Sequence, residues 1–414
     1  MKVELVKTEK VIHGIKVVHI KTNNLMSYIA YHCLSGSYHE NEKNQGVSHY
    51  LEHMFFKGTE KRGYAAISDD AALQGANQNA FTSELDTCYY LTVPSQNYDP
   101  CIELLTDMMF HSKFPTEEID KERTVIQAER KSYEDSPSSY YWEVVEKKLL
   151  SFNLGHSVIG TEETIDNITQ ESLIDFKNKF YGKNNIILLI MSSVDAEEIF
   201  ASCETHLIDN KLEEVEVTSL DKPIFIERND ISFTHPNIQQ SFLTMCYSSE
   251  PMNSDNDTLQ SCLKLYLGGG LYGVLGKVIR EELGLCYNIG AYGIMKTLKE
   301  GISCIFTQLD TENVQLAKDN IIKTLEDIST NGVDEVIYNC AKAQILSKWC
   351  SAMDNPLKLS RSIAQSELFD YELDIEKSYK EVNDMTYDMF NDYAKKVLKD
   401  IIANHNWVEM SPEK

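Results

Sequence analysis

The segment Ser48-His49-Tyr50-Leu51-Glu52-His53-Met54-Phe55-Phe56-Lys57-Gly58 holds the residues of this chain best suited to chemistry. Wound as a helix of about 3.6 residues per turn, it stacks His49 and His53 one turn apart and projects Glu52 between them. Val47, Tyr50, Leu51, Met54 and Phe55 follow i, i+3, i+4, i+7, i+8 spacing and take the opposite side. Phe56 falls on the polar side, where it would exclude water, and Gly58 is placed as a C′ residue to end the helix. Two imidazoles at i, i+4 are the usual way a helix grips a divalent zinc ion, and an adjacent Glu can act as general base on zinc-bound water. A lone histidine on such a helix is more often a surface or hydrogen-bonded side chain, so the metal reading needs a third ligand.

A second helix must supply it. In Thr116-Glu117-Glu118-Ile119-Asp120-Lys121-Glu122-Arg123-Thr124-Val125-Ile126-Gln127-Ala128-Glu129-Arg130, the acidic first turn after Pro115 suits a helix N-terminus. Ile119, Val125 and Ile126 define its apolar face, and Glu122 and Glu129 project onto that face. Carboxylates on a buried stripe are costly unless a cation or strong donors meet them. An Arg or backbone amides could hold them instead, which is a common arrangement. With the histidine pair upstream, Glu129 is favoured as the third ligand, and Glu122 as the carboxylate behind the ligands that orients the site. Three protein ligands leave a fourth position for water, the mark of a catalytic zinc.

His49-x-x-Glu52-His53 followed by Glu122-Arg-Thr-Val-Ile-Gln-Ala-Glu129 resembles the M16 (pitrilysin, inverzincin) zinc peptidase family, nearest the mitochondrial and bacterial processing peptidases. The order His-x-x-Glu-His inverts the better-known zinc peptidase motif. The resemblance extends over roughly residues 10–400. It implies an α+β fold of two homologous α/β domains, each a mixed or antiparallel sheet packed with helices, arranged as a clamshell around a central cavity.

The 414 residues suffice for two domains with sizeable cores, and 42% hydrophobic with 25% charged residues reads as soluble and globular. Met1-Lys2-Val3-Glu4-Leu5 lacks the apolar stretch of a signal peptide, and no run approaches the ~20 apolar residues of a membrane span. Ten cysteines without CxxC pairs, among them Cys33, Cys88, Cys304 and Cys340, suit buried free thiols in a reducing compartment. The expectation is a cytoplasmic protein with no membrane association. A net charge of −25 argues against nucleic acid. An acidic cavity lining would favour basic or amphipathic peptides, although an acidic surface often means only solubility.

Along the chain, Gly14–Ile20 and Tyr28–Leu34 read as a hairpin joined around Asn23-Asn24, with His19 and His32 structural. Gly75–Val93 has strand composition in its latter half. The resemblance makes its Asn-Ala-x-Thr-Ser segment an exposed edge strand, to which a substrate could add by main-chain hydrogen bonds, and makes Asn79, Ala80 and Phe81 substrate contacts. Ile186–Met191 reads as a strand buried on both faces, with Asp195 starting a helix. The acidic, polar stretch 209–225 is placed as a linker between an N-terminal metal-binding domain, 1–208, and a C-terminal domain, 226–414.

The second half loosely repeats the first. Ser241–Tyr247 is like the Tyr28 strand, and a helix through Leu259–Leu267 takes the place of the histidine helix without ligands. A helix from Asp334-Glu335 matches Glu117-Glu118, with Leu346 standing where Glu129 would. Its Gly268-Gly269-Gly270 fits no nucleotide-binding spacing. The run through Arg280-Glu281-Glu282-Leu283-Gly284-Leu285-Cys286-Tyr287 is similar to the family's segment whose Arg and Tyr reach the substrate near the scissile bond. Carried over, these are Arg280 and Tyr287, which would serve the oxyanion. Arg280 paired with Glu281 or Glu282 and Tyr287 as a core aromatic are the plainer alternatives. Gly155-His156-Ser157-Val158-Ile159-Gly160 departs from the family's His-Pro-Tyr-Gly-like run.

The expected function is a zinc endopeptidase acting on short or unfolded peptides. His49, His53 and Glu129 hold Zn²⁺, and Glu52 takes a proton from the bound water and returns it to the leaving amine. The resemblance implies a homodimer, or a heterodimer with a related chain. The alternatives are an inactive structural or peptide-binding relative, and a dedicated maturase of one linked precursor peptide.

Overall fold

The computed structural model describes residues 6–210, 212–216, 229–252, 254–371 and 373–413. Met1–Leu5 and, within the expected linker, residues 211 and 217–225 lie outside them. The chain forms two compact units, each built on one sheet. The first draws on Met1–Asp135, Phe152–Ser219 and Met353–Leu373, the second on Ser136–Ser151, Leu220–Ala352 and Asp374–Lys414.

The first sheet has six strands: β1 (Val6–Ile12), β2 (Ile15–Lys21), β3 (Met26–Cys33), β4 (Asn77–Thr82), β5 (Thr87–Pro94) and β6 (Ile186–Ser192), in the order β1-β2-β6-β3-β5-β4. The apolar run 186–191 is the fully buried central strand its composition demands. It lies parallel to β2 and antiparallel to β3, and so separates them. The expected β2–β3 hairpin is therefore not formed. The hairpin is β1–β2, turned at His13-Gly14, both at positive φ as a two-residue hairpin turn requires. The first half of Gly75–Val93 also forms a strand, because β4 and β5 pair through a short turn and leave β4 on the sheet edge.

The second sheet contains β7 (Ile231–His235), β8 (Ser241–Ser249), β9 (Cys286–Lys296), β10 (Gly301–Leu309) and β11 (His405–Pro412), in the order β7-β11-β8-β10-β9. Its pairing repeats β2-β6-β3-β5-β4, including one parallel pair, β7 with β11, where the first sheet has β2 with β6. The repeat suspected from pattern is thus present as topology.

One face of the first sheet carries a core that includes Tyr31, Tyr50, Leu51, Phe55, Tyr89 and Leu188. The opposite face is covered by helix Pro356–Leu368, which comes from the far end of the chain and packs on β3 and β6. Leu359, Ile363 and Ala364 are buried there, each large aliphatic side chain contributing roughly 1.5–3 kcal/mol. Arg361 in this helix donates to both oxygens of the buried Asp86, at 2.7 and 3.1 Å, and lies over the Phe81 ring. In the second unit, helix Pro137–Leu149 does the same service. Tyr141 packs on Phe242 and Phe306, and its hydroxyl donates to Thr244 Oγ1 at 2.5 Å. Each sheet is thus closed by a helix whose sequence neighbours belong to the other unit. All ten cysteines are free thiols.

Replacing Arg361 by Leu leaves the Asp86 carboxylate buried without its cation. We expect a loss of about 2 kcal/mol, below the 3–5 kcal/mol of a fully buried pair because the guanidinium is partly exposed, read as a lower urea midpoint with unchanged slope.

Candidate metal centre

The histidine helix runs Val47–Met54 and ends at Phe55, one turn earlier than Gly58 suggests. Gly58 instead bridges to Gly63 in the following loop. The helix starts at Gly46, whose φ of +85° and close contact with the Ile159 carbonyl admit no side chain. A buried carboxylate holds this end. Glu40 Oε2 accepts from the Gly46 amide at 2.7 Å and from His156 Nε2 at 2.9 Å, and Oε1 accepts from the Ser48 amide and hydroxyl at 2.8 and 2.6 Å. A negative charge at a helix N-terminus satisfies its free amides and complements its dipole. His156, in the segment that departs from the family pattern, is thereby placed as a brace of this helix. Its other nitrogen meets the Phe152 carbonyl at 2.7 Å. Neither Glu40 nor His156 stood out in the sequence, because a single acid and a single His in loops have no periodicity to mark them.

Helix Thr116–Glu134 buries Ile119, Glu122 and Ile126. Val125, expected on this face, is half exposed because it points to the other side. The two helices are joined where the Tyr50 hydroxyl donates to the Ile119 carbonyl. Across this junction, one nitrogen each of His49 and His53 and one oxygen of Glu129 come within 4.8 Å of one another. Glu129 Oε2 stands 3.8 Å from His49 Nε2 and 3.7 Å from His53 Nε2. These separations are too long for hydrogen bonds. They approach the roughly 3.3 Å between donor atoms held about 2.0–2.2 Å from a tetrahedral zinc. The donor set, two imidazole nitrogens and a carboxylate oxygen, fits that metal.

The remaining sequence-derived residues surround this triad. His53 Nδ1 donates to Glu122 Oε1 at 2.8 Å, which leaves Nε2 with its lone pair toward Glu129. Glu122 Oε2 accepts from Lys57 Nζ at 2.6 Å. Burial alone would raise the Glu122 pKa, but the His53 and Lys57 hydrogen bonds bring it below the usual carboxylate range. Burial pushes His49 down to about 3, with His53 beside it adding to the effect, so it stays neutral, the form that can bind a metal. For His53 burial acts downward, yet Glu122, Glu52 and Glu129 lift it above its ordinary value. Glu52 is raised by burial and by Glu129, against the opposing effect of Thr82 and His53. Its Oε2 accepts from Thr82 Oγ1 at 2.6 Å. Thr82 ends edge strand β4, so the strand and the carboxylate are tied together. Asn79 is exposed on this strand, with Ala80 and Phe81 half buried. His19 and His32 are buried in the first sheet, away from this triad, as structural residues.

Arg280 and Tyr287 are found together in the second unit, the guanidinium 5.1 Å over the ring. Arg280 also pairs with Glu281 at 3.3 Å, while Tyr287 is 84% exposed and therefore no core aromatic. The segment Gly276–Glu282 that carries Arg280 is wound as a π-helix, a wide form frequent at functional sites.

The family model described as Insulinase (Peptidase family M16) matches residues 16–162, and that described as Peptidase M16 inactive domain matches residues 167–345. The chain belongs to peptidase family M16. An uncharacterized zinc protease of Bacillus subtilis, YmxG, is 26% identical over 89% of this chain and 90% of its own length. The human mitochondrial-processing peptidase subunit beta is 32% identical over 42% of this chain and 36% of its own. A protease from Helicobacter pylori superposes with a TM-score of 0.87 at 17% identity, covering 99% of this chain and all of the other. The M16 model matched by the first half covers His49, Glu52, His53 and Glu129, and the one matched by the second half is the inactive domain.

Substituting Glu40 with Gln removes the charge from a carboxylate that accepts four hydrogen bonds. We expect a stability loss of about 2–3 kcal/mol by chemical denaturation, accompanied by weaker zinc binding as the helix start loosens.

Proposed function

We propose that this M16 chain is a zinc-dependent endopeptidase that hydrolyses short or unfolded peptides. The observation that carries the reading is the convergence of His49 Nε2, His53 Nε2 and Glu129 Oε2, with Glu52 on the same helix turn. A zinc ion held by these three residues supplies Lewis acidity, which lets water lose a proton near neutral pH. Glu52, its basicity increased by burial and its carboxylate oriented by Thr82, accepts that proton and passes it to the leaving amine. Glu122 keeps His53 in the tautomer that presents Nε2. Edge strand β4 has an open side along Asn79, Ala80 and Phe81, where an extended peptide would gain main-chain hydrogen bonds beside Glu52. Arg280 and Tyr287 are assigned to the substrate's developing negative charge on the family resemblance, which the exposure of Tyr287 and their mutual stacking support.

In this reading residues 1–208 carry the metal chemistry and 226–414 the further substrate contacts, joined through 209–225. The net charge of −25 favours basic or amphipathic peptides as substrates and disfavours nucleic acid. Among the described residues no helix is long and apolar enough to cross a membrane, and ten free thiols support a cytoplasmic location. A dimer is proposed as the working form. The mitochondrial relatives named as a beta subunit make a related partner chain the second option. The presence of the whole ligand set and its base argues against an inactive structural relative.

Glu52→Gln should reduce cleavage of an unstructured basic peptide by about a thousandfold while zinc stays bound, as measured by mass spectrometry and metal analysis. Turnover retained in that variant removes Glu52 from its role. Glu129→Gln should lose most of its zinc on dialysis, and a metal content equal to the parent's would exclude it as a ligand.

A further inference from the structure

Lys57 lies one turn beyond His53, in the loop that follows the histidine helix, with its side chain only 16% exposed. Its ammonium touches Glu122 Oε2 at 2.6 Å while Glu122 Oε1 accepts from His53 Nδ1 at 2.8 Å. The ring of Tyr64 backs the ammonium, 4.7 Å from its centroid. Held by His53 alone, the Glu122 carboxylate could swivel about its last bond and carry the imidazole with it. A second donor on the other oxygen fixes the carboxylate plane. It also offsets a charge whose side chain is 7% exposed and would otherwise be costly to bury.

Resting on the reading of this site as a zinc centre, we propose that Lys57 is a positioning residue that acts through Glu122 to aim His53 Nε2 at the metal. The chain of contacts runs from the loop ammonium through one carboxylate to one ligand, without Lys57 touching metal or substrate. Lysine suits the task because its flexible stem can carry a compact charge from the loop across to Glu122 on the helix Thr116–Glu134. Nothing in the histidine motif itself marks this residue, since it lies outside the His-x-x-Glu-His spacing.

The test measures zinc affinity by competition with a chromophoric chelator, in the full chain and without peptide. Lys57→Met, which keeps the stem and removes the charge, should weaken zinc binding about 10–100-fold, the range seen when a partner behind a ligand is lost. Lys57→Arg, which restores a cationic donor, should recover most of that loss. Glu122→Gln should weaken binding similarly, and the double variant Lys57→Met/Glu122→Gln should be no worse than the poorer single one, because both act along one path. The metal-free Lys57→Met protein should lose some stability because Glu122 keeps its buried charge with one donor fewer, and the double variant, which removes that charge as well, should recover part of the loss. Parent-like affinity in Lys57→Met, or losses of affinity that multiply in the double variant, would each overturn the assignment. A parent chain that binds zinc but cleaves no peptide would defeat the peptidase reading and leave this inference standing.

Discussion

A pair of imidazoles one turn apart is useful only if the helix carrying them cannot rotate. In this protein that helix has barely two turns, too short to hold its own geometry in water. It is pinned at both ends by buried carboxylates. Glu40 fastens the N-terminal amides, and Glu122 fastens His53 and the lysine just past the C-terminal end. The apolar side, with Val47, Tyr50, Leu51 and Met54 fully buried, supplies the rest of the constraint. The proposed metal chemistry of the first unit depends on this fixed orientation. The proposed third ligand, Glu129, comes from a helix that touches the first along one side, and the proposed base, Glu52, is oriented by a strand on the other.

The chemical core was legible because its signals are local. Two histidines and a glutamate at helical spacing, and two glutamates on a helical stripe, are patterns that one window of sequence displays. The same holds for the apolar strand 186–192, whose composition announces burial on both faces. The failures are non-local or lie at element ends. The β2–β3 pairing was wrong because nothing near residue 25 indicates that a strand 160 residues away will insert between them. Val125 was misplaced since apolar character alone does not decide which side of a helix meets the core. The helix end at Phe55 was missed because Gly58 is as well suited to the loop that follows as to a cap. Glu40, His156, Thr82 and Lys57 act through single hydrogen bonds across the fold, and no periodicity reports such contacts.

The two sheets share a strand order but not a chemistry. The first unit has the two candidate ligands His49 and His53 on the helix after β3, whereas the corresponding helix Asp257–Gly268 after β8 offers none, in keeping with the family model's description of that half as an inactive domain. The architecture therefore tolerates loss of the metal set without loss of the fold. Its stability rests on the sheets and their two helical covers, and the proposed metal ligands are additions to one copy.

The crossing of those covers has a consequence during synthesis. The strands of the first sheet have all left the ribosome by Ser192, yet the helix that closes its second face ends only at Leu368. Until then the nascent chain carries a broad uncovered surface that includes Tyr28, Ala30 and Leu189, and such surfaces attract chaperones or neighbouring chains. Maturation of the first unit is thus timed by a segment translated long after its last strand, and a chain interrupted before residue 356 would expose this face permanently.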